Sequence, residues 1–225
     1  MKYKGIIFDL DGTIADTGGD LANSMNLMLE SFGFERKTKE EILQYINYGA
    51  RQFVNGCLPD EVKKSPDYES FWEEAFRRYL KFYEEHCFER THLYGGIAEL
   101  VNSLYVSGIK ICVLSNKQDD MTKKIVTSLL NREYFTEILG FSDGRFPHKP
   151  RPDSALYLAE KMGIAPDETV FIGDSNIDMN TAENAGMFPL GVTWGYRPES
   201  VLIDAGAKKI AHNPSEILDF ILNNK

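Results

Sequence analysis

The chain has 225 residues, 43% of them hydrophobic, which is enough for one large domain or two unequal ones around a substantial core. Its formal net charge of −9 weighs against nucleic-acid binding, which draws its affinity from lysines and arginines on phosphates, but allows a small anionic substrate held by local positive charge. Cys57, Cys87 and Cys112 lack CxxC spacing, His86, His92, His148 and His212 lack zinc-ligand spacing, and no apolar run approaches a membrane span or a signal peptide. The expectation is a cytoplasmic protein with free thiols and no membrane partner.

The first predicted element, "KGIIF" (4–8), is a buried strand that runs straight into Asp9 and, two residues on, Asp11. Helical patterns follow. "DLANSMNLMLESFGF" places Leu21, Met25, Leu29 and Phe32 at helical spacing, and "TKEEILQYI" carries a Thr38/Glu41 capping box. "SPDYESFWEEAFRRYLKFYEEHCF" predicts a long amphipathic helix opening at Ser65 and Pro66. No strand pattern interrupts residues from about 18 to 90, so a helical insertion is expected there, with "TGG" (17–19) and "LYGG" (93–96) as glycine-containing joints.

Beyond the insertion, strands and helices alternate. "GIAELVNSLYVSG" predicts a helix with Ile97, Leu100, Val101 and Leu104 on one face, and "IKICVLS" (109–115) a strand. "DSALYLAEKMG" is a helix with a glycine stop, and "TVFIG" (169–173), "LGVTW" (190–194) and the weaker "KKIAH" (208–212) are strands. This alternation predicts an α/β fold, a doubly wound parallel-sheet Rossmann-like core, with an inserted α-helical cap domain. The core would comprise residues 1–17 and 92–225, the cap residues 18–91.

Chemistry concentrates at the predicted strand ends, where open parallel sheets bind ligands. Asp9 and Asp11 leave the first strand as an i, i+2 pair. Carboxylates held that close repel unless a cation joins them, which suits one as nucleophile and the other as general acid/base around a metal. Taken alone, "DLDG" reads more readily as a turn. "VFIGDSNIDMNTAENAG" repeats the design: Asp174 ends a strand and Asp178 follows one helical turn later. Ser175 as a helix cap with acids on the helix dipole is the structural reading of the same residues. Carboxylates converging on one sheet edge ask for a hard cation, and Mg²⁺ takes few carboxylates and leaves room for phosphate oxygens. In "VLSNK", Ser115 and Asn116 end a strand beside backbone N–H groups that suit a phosphate. In "FPHKPRPDS", flanking prolines direct Lys149, which can neutralise a phosphate and the acid cluster together.

Read together and in order, "FDLDGT" (8–13), "LSNK" (114–117), "KPRPD" (149–153) and "GDSNIDMNTAENAG" (173–186) resemble the haloacid dehalogenase-like hydrolase superfamily. "IADTGGDLANSMN" and "WGYRPES" are similar to its phosphoglycolate phosphatase branch, and the resemblance covers essentially the whole chain. Two positions depart from that branch: His148 stands where glycine is usual, and Tyr94-Gly95-Gly96 replaces Tyr-Pro-Gly.

The resemblance implies a Mg²⁺-dependent phosphatase acting on a small phosphorylated metabolite, phosphoglycolate foremost, through an aspartyl-phosphate. Asp9 would be the nucleophile, and Asp11 would protonate the leaving oxygen and then deprotonate water. Mg²⁺ would bind the Asp9 and Asp174 carboxylates and the Asp11 carbonyl, with Asp178 supporting directly or through water. Ser115, the Asn116 backbone and Lys149 would hold the phosphoryl oxygens. The dehalogenase branch lacks the second acid of DxD, so Asp11 favours phosphoryl transfer. A phosphosugar mutase of the β-phosphoglucomutase type and an inorganic pyrophosphatase use the same core, and a non-enzymatic receiver-like module uses similar acids without the insertion. Arg51, after Gly49 in "NYGARQFV" and between two predicted cap helices, is expected to meet a substrate carboxylate. Oligomeric state is left open.

Overall fold

In the computed structural model, residues 2–223 are described. The strands are β1 (Gly5–Phe8), β2 (Ala15–Asp16), β3 (His92–Leu93), β4 (Lys110–Gln118), β5 (Glu137–Phe141), β6 (Thr169–Gly173), β7 (Phe188–Val192) and β8 (Lys209–Ala211). The helices are α1 (Gly18–Ser31), α2 (Lys39–Leu43), α3 (Ala50–Cys57), α4 (Asp60–Lys63), α5 (Tyr68–His86), α6 (Ile97–Val106), α7 (Asp119–Leu129), α8 (Asp153–Met162), α9 (Asn176–Asn184), α10 (Glu199–Asp204) and α11 (Pro214–Asn223). The chain divides into two compact units, one of residues up to Ala15 and from Leu93 onward, the other Asp16–His92.

The first unit is built on a six-stranded sheet in the order β5-β4-β1-β6-β7-β8, parallel throughout. Ile6, Ile7 and Phe8 are all fully buried, so β1 is apolar on both faces, as a strand covered on both sides must be. On one face Ile7, Cys112, Leu114 and Phe171 pack with Ala155, Leu158 and Met162 of α8. Phe8 is level with Val113 of β4 and Ile172 of β6, so β1 and β6 end nearly together while β4 runs on beside them. From β1 the chain lays β4 and then β5 to one side, returning to the other with β6, β7 and β8. That reversal is the topological switch point at which open parallel sheets hold ligands.

Two departures from the sequence reading bear on the site. The edge strand β5, "EILGF", was not predicted. β4 does not stop at Ser115 and Asn116 but continues to Gln118, and its register with β5 breaks between Leu114 and Gln118. A bulge of this kind frees residues 115–117 from regular pairing and re-aims their side chains.

The second unit consists of α1 to α5. The Thr38/Glu41 capping box forms as expected. α5 starts at Tyr68 rather than at Ser65, whose hydroxyl instead accepts from the Asp67 N–H at 3.3 Å. Arg78 of α5 lies over the Phe32 ring at 4.1 Å and donates to the Ser31 carbonyl, fastening α5 to the end of α1. The crossings between the units are the paired strands β2 and β3; Gly18 and Gly19, expected in a joint, lie in the first turn of α1. Buried Asp20 accepts from the Arg90 N–H, the Thr91 N–H and the Thr91 hydroxyl at 3.1, 2.9 and 2.8 Å, so one carboxylate ties the two ends of this unit together. Among the described residues no helix is long and apolar enough to cross a membrane.

Candidate active site

Asp9 leaves β1 directly, its N–H still donating to Ile172 of β6 at 2.9 Å. The chain then turns sharply: Thr13, Ile14 and Ala15 all donate to the Leu10 carbonyl. Gly12 sits at φ +88°, where a side chain is strained, and a Cβ there would lie 2.4 Å from Asp174 Oδ2. The turn therefore sets Gly12 and Thr13 against Asp174 at the end of β6, with Asp9 and Asp11 both nearly inaccessible.

Asp174 follows β6, and α9 begins two residues later. Its Oδ1 accepts from the Thr13 hydroxyl at 3.3 Å and its Oδ2 from the Tyr196 N–H at 2.7 Å. Gly195 forms the opposite wall, where a Cβ would come within 2.3 Å of Asp174 Cβ. Asp178 closes a capping box with Ser175: its Oδ2 accepts from the Ser175 N–H at 3.1 Å and hydroxyl at 2.6 Å. The capping reading and the site reading of these residues hold together, because Asp178 Oδ1 remains for Lys149.

Lys149 Nζ lies 2.8 Å from Asp9 Oδ1 and 2.6 Å from Asp178 Oδ1, and all three side chains are at most 1% exposed. Asn116 holds the lysine's own backbone. Its side-chain oxygen accepts from the Lys149 N–H at 2.8 Å and its amide donates to the Lys149 carbonyl at 3.1 Å. Beside the flanking prolines, which were expected to direct this lysine, the paired amide contacts of Asn116 hold its backbone.

One oxygen each from Asp9, Asp174 and Asp178 lies within 4.8 Å of the other two. Burial, reinforced by the Asp178 charge, pushes the Asp9 carboxyl well above its ordinary range, and Lys149 opposes this. Burial and then Asp178 push Asp174 up to about 7, against the Tyr196 N–H. Burial disfavours the Lys149 charge, but Asp178 and Asp9 outweigh it, so its pKa is raised. Asp9 Oδ2 is buried with no hydrogen-bond partner. An orphaned carboxylate oxygen beside two more buried carboxylates fits a hard divalent cation, whose all-oxygen preference this donor set meets.

Of the residues expected from sequence, Asp9, Asp174, Asp178 and Lys149 come together. The Asp11 carboxylate stands apart from the three-acid cluster and pairs with Lys117 at 3.1 Å. Ser115 is nearly buried at the same sheet edge, its hydroxyl accepting from the Lys117 N–H at 3.1 Å. Arg51 is not in a loop but in the first turn of α3, in the second unit. Its Nη2 contacts both Glu69 oxygens at 2.8 and 2.7 Å, and its guanidinium lies 4.5 Å from the Trp72 ring centre. Sequence reasoning assigned no role to Thr13, Lys117, Gly12 or Gly195. Lys117 carried a signal, being a cation inside a quoted motif; the glycine walls carried none.

The haloacid dehalogenase-like hydrolase family model matches residues 6–192. The phosphoglycolate phosphatase of Chromobacterium violaceum is 30% identical over 220 residues, spanning 98% of this chain and 97% of that one. A crystal structure from Lactobacillus delbrueckii subsp. bulgaricus superposes with a TM-score of 0.88 at 30% identity, covering 100% of both chains. That of a predicted phosphoglycolate phosphatase from Haemophilus somnus gives 0.89 at 26% identity, covering 98% of each.

Proposed function

This chain belongs to the haloacid dehalogenase-like hydrolase family, and on that premise we propose that it is a Mg²⁺-dependent phosphatase, with phosphoglycolate as its substrate and a phosphate ester on Asp9 as its intermediate. The observation that carries the reading is Asp9: a buried carboxylate with one oxygen on Lys149 and the other without a partner.

The chain's own residues account for both half-reactions. An Asp9 oxygen attacks phosphorus in line, the bond to the leaving oxygen breaks, and Asp11 gives that oxygen its proton. Asp11 then takes a proton from water, whose oxygen attacks phosphorus and frees Asp9 with release of inorganic phosphate. Lys149 and the Ser115 hydroxyl supply positive charge and a donor to the phosphoryl oxygens, and Asn116 keeps Lys149 aimed. Asp9, Asp174 and Asp178 would hold Mg²⁺, which supplies charge neutralisation for the transferring group. Little covalent help is available at phosphorus, so positioning and charge carry the catalysis. The three cysteines are free and buried, which suits the reducing cytoplasm.

The test is phosphate release from phosphoglycolate, hexose phosphates, nucleoside monophosphates and pyrophosphate, with Mg²⁺ and with chelator. Asp9→Asn keeps the shape and one ligand oxygen but removes the anionic nucleophile, so turnover should fall by roughly 10³ or more. A variant retaining a tenth of wild-type activity rules out the covalent role of Asp9.

A further inference from the structure

Lys117 is the one polar residue of the LSNK segment that the mechanism above does not use. Its Nζ lies 3.1 Å from Asp11 Oδ1, and its side chain is 9% exposed, against 1% for Lys149. Lys149 bridges Asp9 and Asp178, where the phosphoryl group is handled. Lys117 stands beside the acid that serves the leaving group. Arg197, another cation of this unit, acts through its charge on Asp174, at the metal-binding end of the site.

We propose that Lys117 reads the leaving group: its ammonium receives a carboxylate attached one carbon beyond the ester oxygen, so the preferred substrates are phosphate esters of small 2-hydroxy acids. This rests on the phosphatase reading above and extends it to specificity. Proton transfer places the leaving oxygen ~2.7 Å from an Asp11 oxygen. When Asp11 Oδ1 carries the proton, adding its 3.1 Å separation from Lys117 puts that oxygen within ~6 Å of Nζ. A carboxylate on the next carbon projects ~3 Å from the ester oxygen and, turned towards Nζ, reaches hydrogen-bond distance of it. An ammonium has three donors on a flexible stem, so one can hold Asp11 while another meets the substrate. The same contact places the substrate's proton acceptor against Asp11, coupling recognition of the carboxylate to leaving-group protonation.

The test compares phosphoglycolate with ethyl phosphate, which has a methyl group in place of the carboxylate, in wild type, Lys117→Met and Lys117→Arg, all with Mg²⁺. The wild type should prefer phosphoglycolate, and Lys117→Met should cut that preference roughly 10–100-fold, mainly through KM, the weight of one charged hydrogen bond. Lys117→Arg, which keeps the charge, should retain part of it. Equal losses on both substrates in Lys117→Met would mean that Lys117 serves only Asp11, and the inference falls while the phosphatase reading stands. A wild type with no preference between the two esters also overturns the inference alone. Phosphate release from neither ester overturns the inference together with phosphoglycolate as the substrate, while release from another ester of the panel would leave the phosphatase reading standing. Binding of phosphonoacetate against ethylphosphonate, followed by calorimetry, gives a readout independent of turnover: loss of the phosphonoacetate advantage in Lys117→Met supports the carboxylate contact, and its retention overturns it.

Discussion

Replacing Lys149 by methionine keeps most of the side-chain volume and removes one charge from between two carboxylates. Asp9 and Asp178 are at most 1% exposed and lie 2.8 and 2.6 Å from Nζ, so the substitution leaves buried acids without their compensating cation. Breaking a buried pair in this way costs about 3–5 kcal/mol. In a chain of this size each kcal/mol moves the melting temperature by roughly 2–4 °C, so the metal-free variant should melt about 10 °C lower at pH 8. The loss should shrink at pH 5.5. Lys149 has a raised pKa and remains charged across this range; its own contribution is lost only as pH rises through the alkaline region. Asp9 and Asp174 run the other way. Their folded pKa values are raised, Asp174 to about 7, so the folded metal-free protein takes up protons and is stabilised at acid pH, losing that stability as pH rises towards neutrality. At pH 5.5 Asp174 is largely protonated and Asp9 is pushed in the same direction, so less negative charge faces Lys149. Thermal melts of wild type and variant in chelator, at both pH values, decide the matter. A fall of less than about 2 °C at pH 8, or equal falls at the two pH values, refutes the account of Lys149 as the counter-charge of this cluster.

Asp11→Asn should harm alkyl esters, whose leaving oxygen needs a proton, roughly tenfold or more beyond its effect on p-nitrophenyl phosphate; equal losses on the two would remove Asp11 as the general acid. Gly195→Ala would set a Cβ within 2.4 Å of Asp174 Oδ2, so the carboxylate must move, and the Mg²⁺ concentration for half-maximal activity should rise roughly 10–100-fold; an unchanged Mg²⁺ dependence would take Asp174 out of the metal site.

What the sequence disclosed and what it hid follow one physical division. Asp9 and Asp174 stood out because acids at the end of apolar strands are costly unless something uses them, and Asp178 because it follows Asp174 by one helical turn. Strand β1 was legible because Ile6, Ile7 and Phe8 are apolar on both faces. Strand β5 was not, because "EILGF" at the sheet edge offers a short apolar run with a glycine inside it. The continuation of β4 through Ser115, Asn116 and Lys117 was hidden for a related reason. Polar residues read as a strand end, whereas here the backbone stays extended while its side chains turn to the site. The Asn116 clamp on Lys149 joins residues 33 apart in sequence, which no local pattern encodes.

The glycines explain why the cluster keeps its strain. Three buried carboxylates would ordinarily spread apart or let water in, but Gly12 and Gly195 press backbone against Asp174, and Gly173 does the same to Asp178, with a Cβ of Gly173 falling 2.3 Å from that side chain. Asp174 and Asp178 are further pinned by the Tyr196 N–H and by the Ser175 N–H and hydroxyl. Relaxation through side-chain movement is therefore closed off, and the acids relieve their repulsion through Lys149, through protons, or through a cation. Lys149 reaches Asp9 and Asp178 but leaves Asp9 Oδ2 without a partner. The remaining imbalance lies at the carboxyl ends of β1 and β6, at the switch point of the sheet, where a divalent cation would offset the excess negative charge and, with Lys149, hold the phosphate ester.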